Sequence, residues 1–450
     1  MLPFKLRILL FSLYILSACS VQRTIQKQAD HAIFKQSDLN SAHIGISIFD
    51  PEKNEYLYNY QADKFFLPAS NTKLFTCYAA MKYLGDSIKG IRYFKDPSSD
   101  IVLVRSTGDP TLLHPDFQHQ PVMDFFRADT NRLYANIELP FQTTALGSGW
   151  SWNDYQQNYM AERSAFPVYG NLIWIRYKDS SMQWQPSMIE AEDGDKSDEV
   201  TSMNRRSNLY SFRRKQYENS LLFTPGKSPF RQQQIPFLTS DTLSWKILQS
   251  EIKGLKWTNN SASQLNSLLP SSKETIRVLY SQHTDSLLRP MMHQSDNFFA
   301  EQCLLMVSDE LLNVMNDRKV IDTLLKMNFS ELTQKPNWVD GSGLSRYNLF
   351  TPLHFISLLQ KMKAEFNWDR IITILPTGGT GTLNNFYKPL QHKIYAKTGT
   401  LSGQVALSGY LITRKNRTLI FSVLVNNHQT SAVSVRRAVE AFLMNVYRIY

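Results

Sequence analysis

Residues 43–50 read HIGISIFD, an alternation of large apolar residues with small or polar ones. This alternation is typical of a β-strand that buries one face. A polar turn at residues 51–54 and a second strand-like run, Tyr56–Tyr60, follow directly. The next segment, Ala69–Leu84, has a helical pattern and ends before Gly85, which adopts the left-handed cap conformation without steric cost. The sequence therefore predicts two strands and a helix near the start of the chain.

The last sixty residues mirror this arrangement. Strand-like runs occur at Lys393–Thr398, Val405–Thr413 and Thr418–Val425, with a polar turn at Arg414–Asn416. A final helix is predicted at Ala432–Tyr447, and the apolar residues on one of its sides are Val433, Val439, Phe442, Leu443 and Val446. Two strands at one chain end and three at the other predict an α+β fold with one antiparallel five-stranded sheet flanked by helices.

The middle of the chain has a different sequence pattern. It contains short alternating runs, Ile101–Val104 and Leu172–Tyr177, and aromatic loops around residues 150–152. We interpret residues 91–265 as a mostly β inserted region, so that residues 20–90 and 266–450 together build the sheet domain. Amphipathic helices are predicted within the insertion at Thr242–Ile252 and after it at Asp285–Met306.

The composition is that of an ordinary globular protein, with 42% apolar and 20% charged residues. The formal net charge is +10, but the basic residues are scattered along the chain. The sequence has neither zinc-finger spacing nor an aromatic RNA-binding signature. These observations argue against a nucleic-acid partner.

The first nineteen residues have the organisation of a secretory signal. Lys5 and Arg7 precede an apolar stretch, Ile8–Leu16. This stretch is too short to span a bilayer, which requires a helix of about 20 residues. Leu16-Ser17-Ala18-Cys19 then resembles the bacterial lipoprotein signal, in which the cysteine is lipidated and becomes the new N-terminus. We predict an exported, periplasmic protein anchored to a membrane through Cys19. A plain signal peptide with an incidental cysteine is the alternative.

Two further cysteines, Cys77 and Cys303, lie in apolar helical patterns. An oxidising compartment permits a disulfide between them. Buried free cysteine is common in such patterns, which favours free thiols over a disulfide. The sequence leaves the two possibilities open.

The first motif with chemical potential is Ser70-Asn71-Thr72-Lys73 at the predicted helix start. Residues i and i+3 lie on one helical face, about 5–6 Å apart between Cβ atoms, so the lysine amine reaches the serine hydroxyl. The positive end of the helix dipole also favours negative charge that develops there. The motif alone is weak, because Ser250-Glu251-Ile252-Lys253 repeats it on an amphipathic helix that we interpret as surface.

Two other short motifs follow. Ser295-Asp296-Asn297 opens a predicted helix, where simple capping is the alternative interpretation, and residues 151–153 and 202–204 repeat its spacing. Lys397-Thr398-Gly399-Thr400 ends a predicted strand, where the alternative is an edge strand that ends in a glycine bulge. The three motifs together are far more informative than any one of them. They occur in the order Ser-x-x-Lys, Ser-x-Asn, Lys-Thr-Gly, and each lies on a suitable element.

This motif set is known from class A β-lactamases and penicillin-binding proteins. The chain therefore resembles the penicilloyl-serine transferases. More narrowly, it resembles the D-alanyl-D-alanine carboxypeptidase/endopeptidase family of low-molecular-mass penicillin-binding proteins of the DacB kind. Four further stretches carry the narrower resemblance: Gly108–Leu112, Asp340–Arg346, Leu375-Pro376 with Gly381–Leu383, and the extension Phe298–Glu301.

The resemblance implies an acyl-enzyme formed on Ser70 from peptidoglycan stem peptides, with β-lactams as covalent inhibitors. Lys73 would be the general base, with its pKa lowered by burial and by a neighbouring cation. Ser295 would relay the proton, and Asn297 would orient the substrate. The substrate carboxylate and the oxyanion would be bound by Lys397-Thr398-Gly399-Thr400 and by the backbone amide of Ser70. No metal or cofactor is implied, and we interpret His114 and His119 as loop residues.

Spacing separates the related classes. Ser70 and Ser295 are 225 positions apart, far more than in a compact β-lactamase, and the excess falls in the predicted insertion. No Glu-x-x-Leu-Asn, which a class A β-lactamase needs for deacylation, lies between Ser295 and Lys397. A serine β-lactamase or esterase and a non-catalytic wall-binding lipoprotein remain the competing hypotheses.

Overall fold

The computed structural model describes residues 22–97, 99–137, 140–178, 181–193, 210–226, 232–259 and 276–450. The predicted signal segment with Cys19 lies outside these residues, as does the Ser-x-Asn spacing at 202–204. Among the helices of the described ranges, none combines the length and apolar character needed to cross a membrane.

The chain divides into two compact units. The first contains residues up to Tyr78, residues 289–295 and residues 325–450. The second contains residues 79–288 and 296–324. The predicted insertion, 91–265, falls inside the second unit.

The strands, in chain order, are β1 (His43–Asp50), β2 (Glu55–Tyr60), β3 (Ser87–Lys95), β4 (Ile101–Ser106), β5 (Leu133–Asn136), β6 (Leu172–Lys178), β7 (Ser181–Gln185), β8 (Ala191–Asp193), β9 (Ser211–Arg214), β10 (Leu221–Thr224), β11 (Gln232–Pro236), β12 (Lys256–Thr258), β13 (Arg277–His283), β14 (Ile394–Leu401), β15 (Gln404–Ile412) and β16 (Thr418–Asn426).

The α-helices are α1 (22–29), α2 (Lys73–Tyr83), α3 (Pro121–Arg127), α4 (Asp241–Glu251), α5 (Thr284–His293), α6 (Asn297–Leu312), α7 (Asp317–Asn328), α8 (Pro352–Glu365), α9 (Trp368–Ile374) and α10 (Ala432–Ile449). A π-helical turn, Asp30–Phe34, continues α1. Short 3₁₀ turns occur at Ser37–Leu39, Ala69–Thr72, Trp152–Asp154, Asn158–Met160, Tyr169–Asn171, Gly381–Leu383 and Lys388–Leu390.

The first unit is built on an antiparallel sheet in the order β14-β15-β16-β1-β2. This order confirms the prediction of one five-stranded sheet assembled from both chain ends. The large apolar residues of β1 alternate, so that one sheet face packs against α10 and the N-terminal helix. The other face of β1 and β16 packs against α8.

A row of small polar residues crosses the sheet on the α8 side. Lys397 of β14 stands opposite Ser408, which is followed in register by Ser422 and Ser47. The hydroxyl groups of Ser408 and Ser422 are 2.8 Å apart, and both residues are fully buried. Small hydroxyl side chains leave room above the sheet, and the Ser70–Lys73 stretch reaches into that space through Asn71.

Three details differ from the predictions. Val433 is 56% exposed, and the apolar side of α10 instead uses Val435, one helical turn before Val439. The Lys-Thr-Gly motif lies within β14, which continues to Leu401, because β15 pairs with it throughout. The predicted helix at Asp285–Met306 is two helices, α5 and α6, separated at Ser295, whose φ of 61° no α-helix tolerates.

The second unit contains a five-stranded sheet in the order β12-β5-β4-β3-β13 and two three-stranded sheets. The three-stranded sheets have the orders β8-β10-β9 and β11-β6-β7. Helix α6 lies in this unit and is buried along most of its length, from Phe298 to Asp309.

A buried carboxylate joins the end of β1 to the end of the chain. The side chain of Asp50 is 0% exposed and accepts hydrogen bonds from Arg417 Nη2 (2.8 Å), the Tyr450 hydroxyl and the backbone amides of Glu52 and Lys53. Burial raises the pKa of Asp50, but the Tyr450 and Lys53 hydrogen bonds and the Arg417 charge outweigh burial and leave this pKa below its usual value.

Replacing Asp50 by Asn is expected to lower the free energy of unfolding by about 2 kcal/mol at pH 7, because charged hydrogen bonds to a buried acceptor are lost. A carboxyl with a depressed folded pKa stabilises the protein above its unfolded pKa of about 3.9, and this contribution disappears as the pH falls through the folded value. Urea unfolding between pH 7 and pH 3 measures both effects, and the difference between wild type and Asp50→Asn should shrink towards pH 3.

Glu52→Gln is the matched control. Glu52 contacts the same guanidinium at 3.2 Å, but its side chain is 53% exposed. Its replacement should change stability by no more than about 0.5 kcal/mol, as is usual for exposed ion pairs. Equal losses in the two variants would contradict the role assigned to Asp50.

Candidate active site

Ser70 lies in the 3₁₀ turn Ala69–Thr72, and α2 begins immediately afterwards at Lys73. A 3₁₀ turn has three residues per turn, so side chains at i and i+3 are aligned above one another. The Lys73 Nζ atom accordingly lies 3.0 Å from Ser70 Oγ. The sequence prediction of neighbouring serine and lysine agrees with this distance, although the turn is tighter than the α-helix predicted there.

The Lys73 amine is fully buried, with 0% of the residue exposed. Besides Ser70, it donates to the backbone carbonyl of Ser342 at 2.8 Å. One helical turn later, the Thr76 hydroxyl donates to the carbonyl of Gly341 at 2.6 Å. The stretch around residue 342 therefore supplies the acceptors that orient this face of α2.

The loop that carries the Ser342 carbonyl is closed by a buried carboxylate, Asp340. This carboxylate accepts from the backbone amides of Gly343 (2.8 Å) and Ser345 (2.6 Å) and from the Asn348 side chain (2.8 Å). The Asp-Gly-Ser-Gly stretch is thus a tight loop closed on its own aspartate. Its placement against Lys73 explains why these residues accompany the serine motif.

Gly343 makes the close approach between this loop and the Ser70 turn possible. Its φ is +82°, and a Cβ atom added to it would lie 1.9 Å from the Ala69 carbonyl oxygen. Ala69 itself has a φ of +48°, in the left-handed region that costs a residue with a Cβ roughly 1–2 kcal/mol. The residue before the serine is therefore held in a strained conformation by a loop that only glycine allows.

Lys397 and Ser295 form the second half of the site within the same unit. Lys397 Nζ donates to Ser295 Oγ at 2.8 Å and to the carbonyl of Thr398 at 2.7 Å. Complete burial lowers the pKa of Lys397 well below its ordinary value, and the positive charges of Lys73 and Arg436 lower it further. The sequence predicted a lowered pKa for Lys73, and for that residue the effect stays a prediction.

Gly399 and Asn71 connect the two halves. A Cβ atom on Gly399 would lie 2.6 Å from the Pro68 carbonyl and 3.0 Å from the Ser70 nitrogen, so the glycine lets β14 pass directly beside the serine. The Asn71 amide donates to the Lys397 carbonyl at 2.6 Å and accepts from the Ser408 nitrogen at 3.2 Å. Sequence reasoning missed Asn71, although its position between Ser70 and Lys73 was an available signal.

The Leu375-Pro376 and Gly381–Leu383 stretches cover the open edge of β14. The Ala396 amide donates to the Pro376 carbonyl at 3.0 Å, and Thr377 forms a bridge with Tyr395. The Thr382 and Thr398 hydroxyls are then 2.8 Å apart. This segment aligns the edge strand and contacts the threonine of the Lys-Thr-Gly motif.

Asn297 lies in the second unit, at the first residue of α6. Its amide donates to the Tyr159 carbonyl at 3.1 Å, and Asp296 caps the helix through the Phe299 amide. Gln302 further along α6 donates to the carbonyls of Gly108 and Ser164. The Gly108–Leu112 stretch thus holds the helix that begins with Asn297, and the Phe298–Glu301 extension is a buried part of that helix.

Several other residues singled out in the sequence have structural roles. Ser250 donates to the Ile247 carbonyl at 2.7 Å, within its own helix. His114 is buried among aromatic rings, and this burial lowers its pKa to about 4, with a smaller opposing effect of Asp116. Cys77 and Cys303 are both free, buried thiols.

A protein-family model matches most of the chain. The model of the family described as D-Ala-D-Ala carboxypeptidase 3 (S13) matches residues 25–446 of this chain. The match includes Ser70, Lys73, Ser295, Asn297 and the Lys397–Thr400 stretch. It covers both compact units.

Curated relatives and a solved structure agree with that match. The chain is 22% identical to D-alanyl-D-alanine carboxypeptidase DacB of Haemophilus influenzae over 86% of each chain. It is 27% identical to a D-alanyl-D-alanine carboxypeptidase of Actinomadura sp. over 89% of this chain and 81% of that one. The crystal structure of penicillin binding protein 4 (dacB) from Haemophilus influenzae has a similar fold, with a TM-score of 0.70, 18% identity and coverage of 94% and 99%.

Gly343→Ala tests the contact between the Asp340 loop and the Ser70 turn. A methyl group 1.9 Å from a carbonyl oxygen must displace the turn, so we expect the acylation rate with a fluorescent penicillin to fall by about 100-fold or more, by the usual effect of a misplaced nucleophile. Gly403→Ala is the control, because Gly403 has a similar φ (+74°) but its nearest contact is 3.7 Å away. The control should lose roughly 1–2 kcal/mol of stability without slower acylation, and equal acylation losses would refute the interpretation.

Proposed function

The chain belongs to the D-Ala-D-Ala carboxypeptidase 3 (S13) family, and we propose that it removes the terminal D-alanine from peptidoglycan stem peptides through an acyl-enzyme on Ser70. The observation that carries this proposal is the buried Lys73 amine at 3.0 Å from the Ser70 hydroxyl. A serine hydroxyl is a weak nucleophile, and an adjacent amine that accepts its proton activates it.

In the acylation step, Ser70 Oγ attacks the carbonyl carbon between the two D-alanines while its proton passes to Lys73. The Ser342 carbonyl accepts one N–H of the Lys73 amine at 2.8 Å, and this contact fixes how the amine is oriented beside Ser70. The C–N bond then breaks, and the departing amine needs a proton. We assign the relay of this proton to Ser295, which accepts a hydrogen bond from Lys397 at 2.8 Å. Water then hydrolyses the ester and regenerates Ser70.

Substrate binding is assigned to the strand that passes beside Ser70. The backbone amides of Ser70 and Thr400 would hold the oxyanion, a contribution of about 3–4 kcal/mol per donor in comparable enzymes. Lys397, Thr398 and Thr400 would bind the terminal carboxylate, and Gly399 permits the close approach of the strand. Asn297, at the start of α6, would orient the substrate amide.

β-Lactams carry a strained amide and a carboxylate that mimic this substrate, and we propose that they acylate Ser70. The structure of penicillin binding protein 4 (dacB) from Haemophilus influenzae complexed with a β-lactam has the same fold, with a TM-score of 0.64. The long separation between Ser70 and Ser295 and the missing Glu-x-x-Leu-Asn argue against efficient β-lactam hydrolysis. The same chemistry also applies to D,D-peptide cross-links, which makes an endopeptidase activity the second candidate.

For localisation we retain the prediction of an exported, periplasmic enzyme with a lipid on Cys19. Its support is the charged start, short apolar stretch and Leu-Ser-Ala-Cys sequence of residues 5–19. Ser20 follows the cysteine, so the inner-membrane retention signal of an aspartate there is missing. A surface-attached enzyme would act on the wall polymer next to its membrane.

Ser70→Ala is expected to abolish both covalent labelling by a fluorescent penicillin and D-alanine release from a pentapeptide. Ser250→Ala is the matched control, because Ser250 and Lys253 repeat the four-residue pattern while the Ser250 hydroxyl bonds its own helix. The control should retain wild-type rates within about twofold, as is usual for substitutions away from a site. Label that persists in Ser70→Ala, or wild-type protein that releases no D-alanine, would reject the proposed function.

Cys19→Ala tests the lipid anchor. Cells that express the wild-type chain should incorporate labelled palmitate into it and retain it in the membrane fraction, because acyl chains supply the binding energy of such anchors. The variant should incorporate none. Ser20→Ala, which preserves the cysteine, is the control, and equal labelling of the two variants would exclude lipidation at Cys19.

A further inference from the structure

Arg436 of α10 lies at the strand that the proposed function assigns to the substrate carboxylate. Its Nη2 atom is 2.5 Å from the hydroxyl oxygen of Thr400. From the described residues, we infer that Arg436 determines the preference of the enzyme for a free C-terminal carboxylate. This inference rests on the proposed function and adds a residue of the C-terminal helix to its binding site.

The direction of the Arg436–Thr400 hydrogen bond follows from chemistry. A guanidinium group has only donors, so the Thr400 oxygen must accept. The hydroxyl proton of Thr400 is then directed away from Arg436 and available to another acceptor. Thr398 and Thr400 project from the same face of β14, because side chains alternate along a strand. Arg436 thus prepares one of two neighbouring hydroxyls as a donor.

Arg436 has unused hydrogen-bonding capacity in a buried position. Its Nε atom is buried and has no hydrogen-bond partner. Arg437, by contrast, pairs with Glu440 at 2.5 Å and donates to the Asn385 carbonyl at 3.0 Å. Both guanidinium groups lie over the ring of Phe386. An arginine with a buried, unsatisfied N–H is expected to serve an acceptor that arrives with a ligand.

The surrounding charge favours an anion. Burial lowers the pKa of the Arg436 guanidinium, and Arg436 in turn contributes to the low pKa of Lys397. His293 is neutral at pH 7, because burial and the charges of Arg289 and Lys397 lower its pKa to about 4. Within the described ranges, neither Lys397 nor Arg436 forms an ion pair with a carboxylate. A substrate carboxylate would relieve the repulsion between these cations.

The experiment compares two substrates with the full chain purified in detergent. The first is a diacetyl-L-Lys-D-Ala-D-Ala peptide with a free carboxylate, and the second is the same peptide as its C-terminal amide. For Arg436→Gln, kcat/KM for the acid should fall by about tenfold, and kcat/KM for the amide should stay nearly unchanged, because only the acid loses a charge-assisted contact. The acid-to-amide ratio of kcat/KM therefore falls about tenfold.

Two further variants separate binding from structure. Arg437→Gln removes the neighbouring charge over the same ring and should leave the acid-to-amide ratio at the wild-type value. Arg436→Lys keeps the positive charge and should recover part of the preference. Equal losses for the acid and the amide in Arg436→Gln would mean that Arg436 only supports the strand, and this result would overturn the inference.

The possible failures are distinguishable. If the wild-type enzyme cleaves the acid but has the same acid-to-amide ratio of kcat/KM as Arg436→Gln, the inference is overturned and the proposed function stands. A wild-type enzyme that releases D-alanine from neither peptide rejects the proposed function, and the inference with it. The penicillin-labelling assay on Ser70 separates an inactive preparation from an intact one before the peptides are compared.

Discussion

The burial of two lysine amines, Lys73 and Lys397, is the constraint on which the structure of the first unit depends. Both residues are 0% exposed, and removing an ammonium from water is costly unless acceptors replace the lost solvent. The acceptors are specific: Ser70 and the Ser342 carbonyl for Lys73, Ser295 and the Thr398 carbonyl for Lys397. Complete burial of Lys397 beside other cations also weakens its hold on a proton. In the proposed mechanism, the burial that makes a lysine ammonium costly would also favour transfer of its proton.

The sheet provides this environment because its two central strands come from opposite chain ends. Ser47 of β1 and Ser422 of β16 are small, and together with Ser408 they form a polar row that leads to Lys397. Larger side chains in this row would fill the space in which Asn71 reaches Ser408 and the Lys397 carbonyl. The apolar positions of the same strands face α10 and form the main core. One alternating sequence thus provides both the core and the floor of the site.

The parts of this design that the sequence predicted are those with a short-range pattern. Alternation in residues 43–50 and near the C-terminus was sufficient for the five-stranded sheet, and the i, i+3 spacing was sufficient for the contact between Ser70 and Lys73. The Asp340 loop was noticed as a motif, but its contact with Lys73 joins positions 269 apart. The contribution of Ser342 is a backbone carbonyl, which has no signature in residue identity. Arg436 gave no signal, since a basic residue on a helix ordinarily indicates solvent exposure.

The strained backbone conformations at the site occur beside or at its two serines. Ala69 and Ser295 both have positive φ values, at 48° and 61°, and each belongs to a segment that presents a serine hydroxyl to a buried lysine. Such conformations persist only where the surrounding contacts fix them. Gly343 and Gly399 supply those contacts on the side of Ala69, because a Cβ atom on either would collide with the turn that contains Ser70. On the side of Ser295, the Gly381 backbone packs closely against His293, where a Cβ would lie 2.8 Å from the carbonyl oxygen. Glycines at these three positions therefore allow backbone segments to approach closely enough to hold Ala69 and Ser295 in conformations that neither helix nor strand would provide.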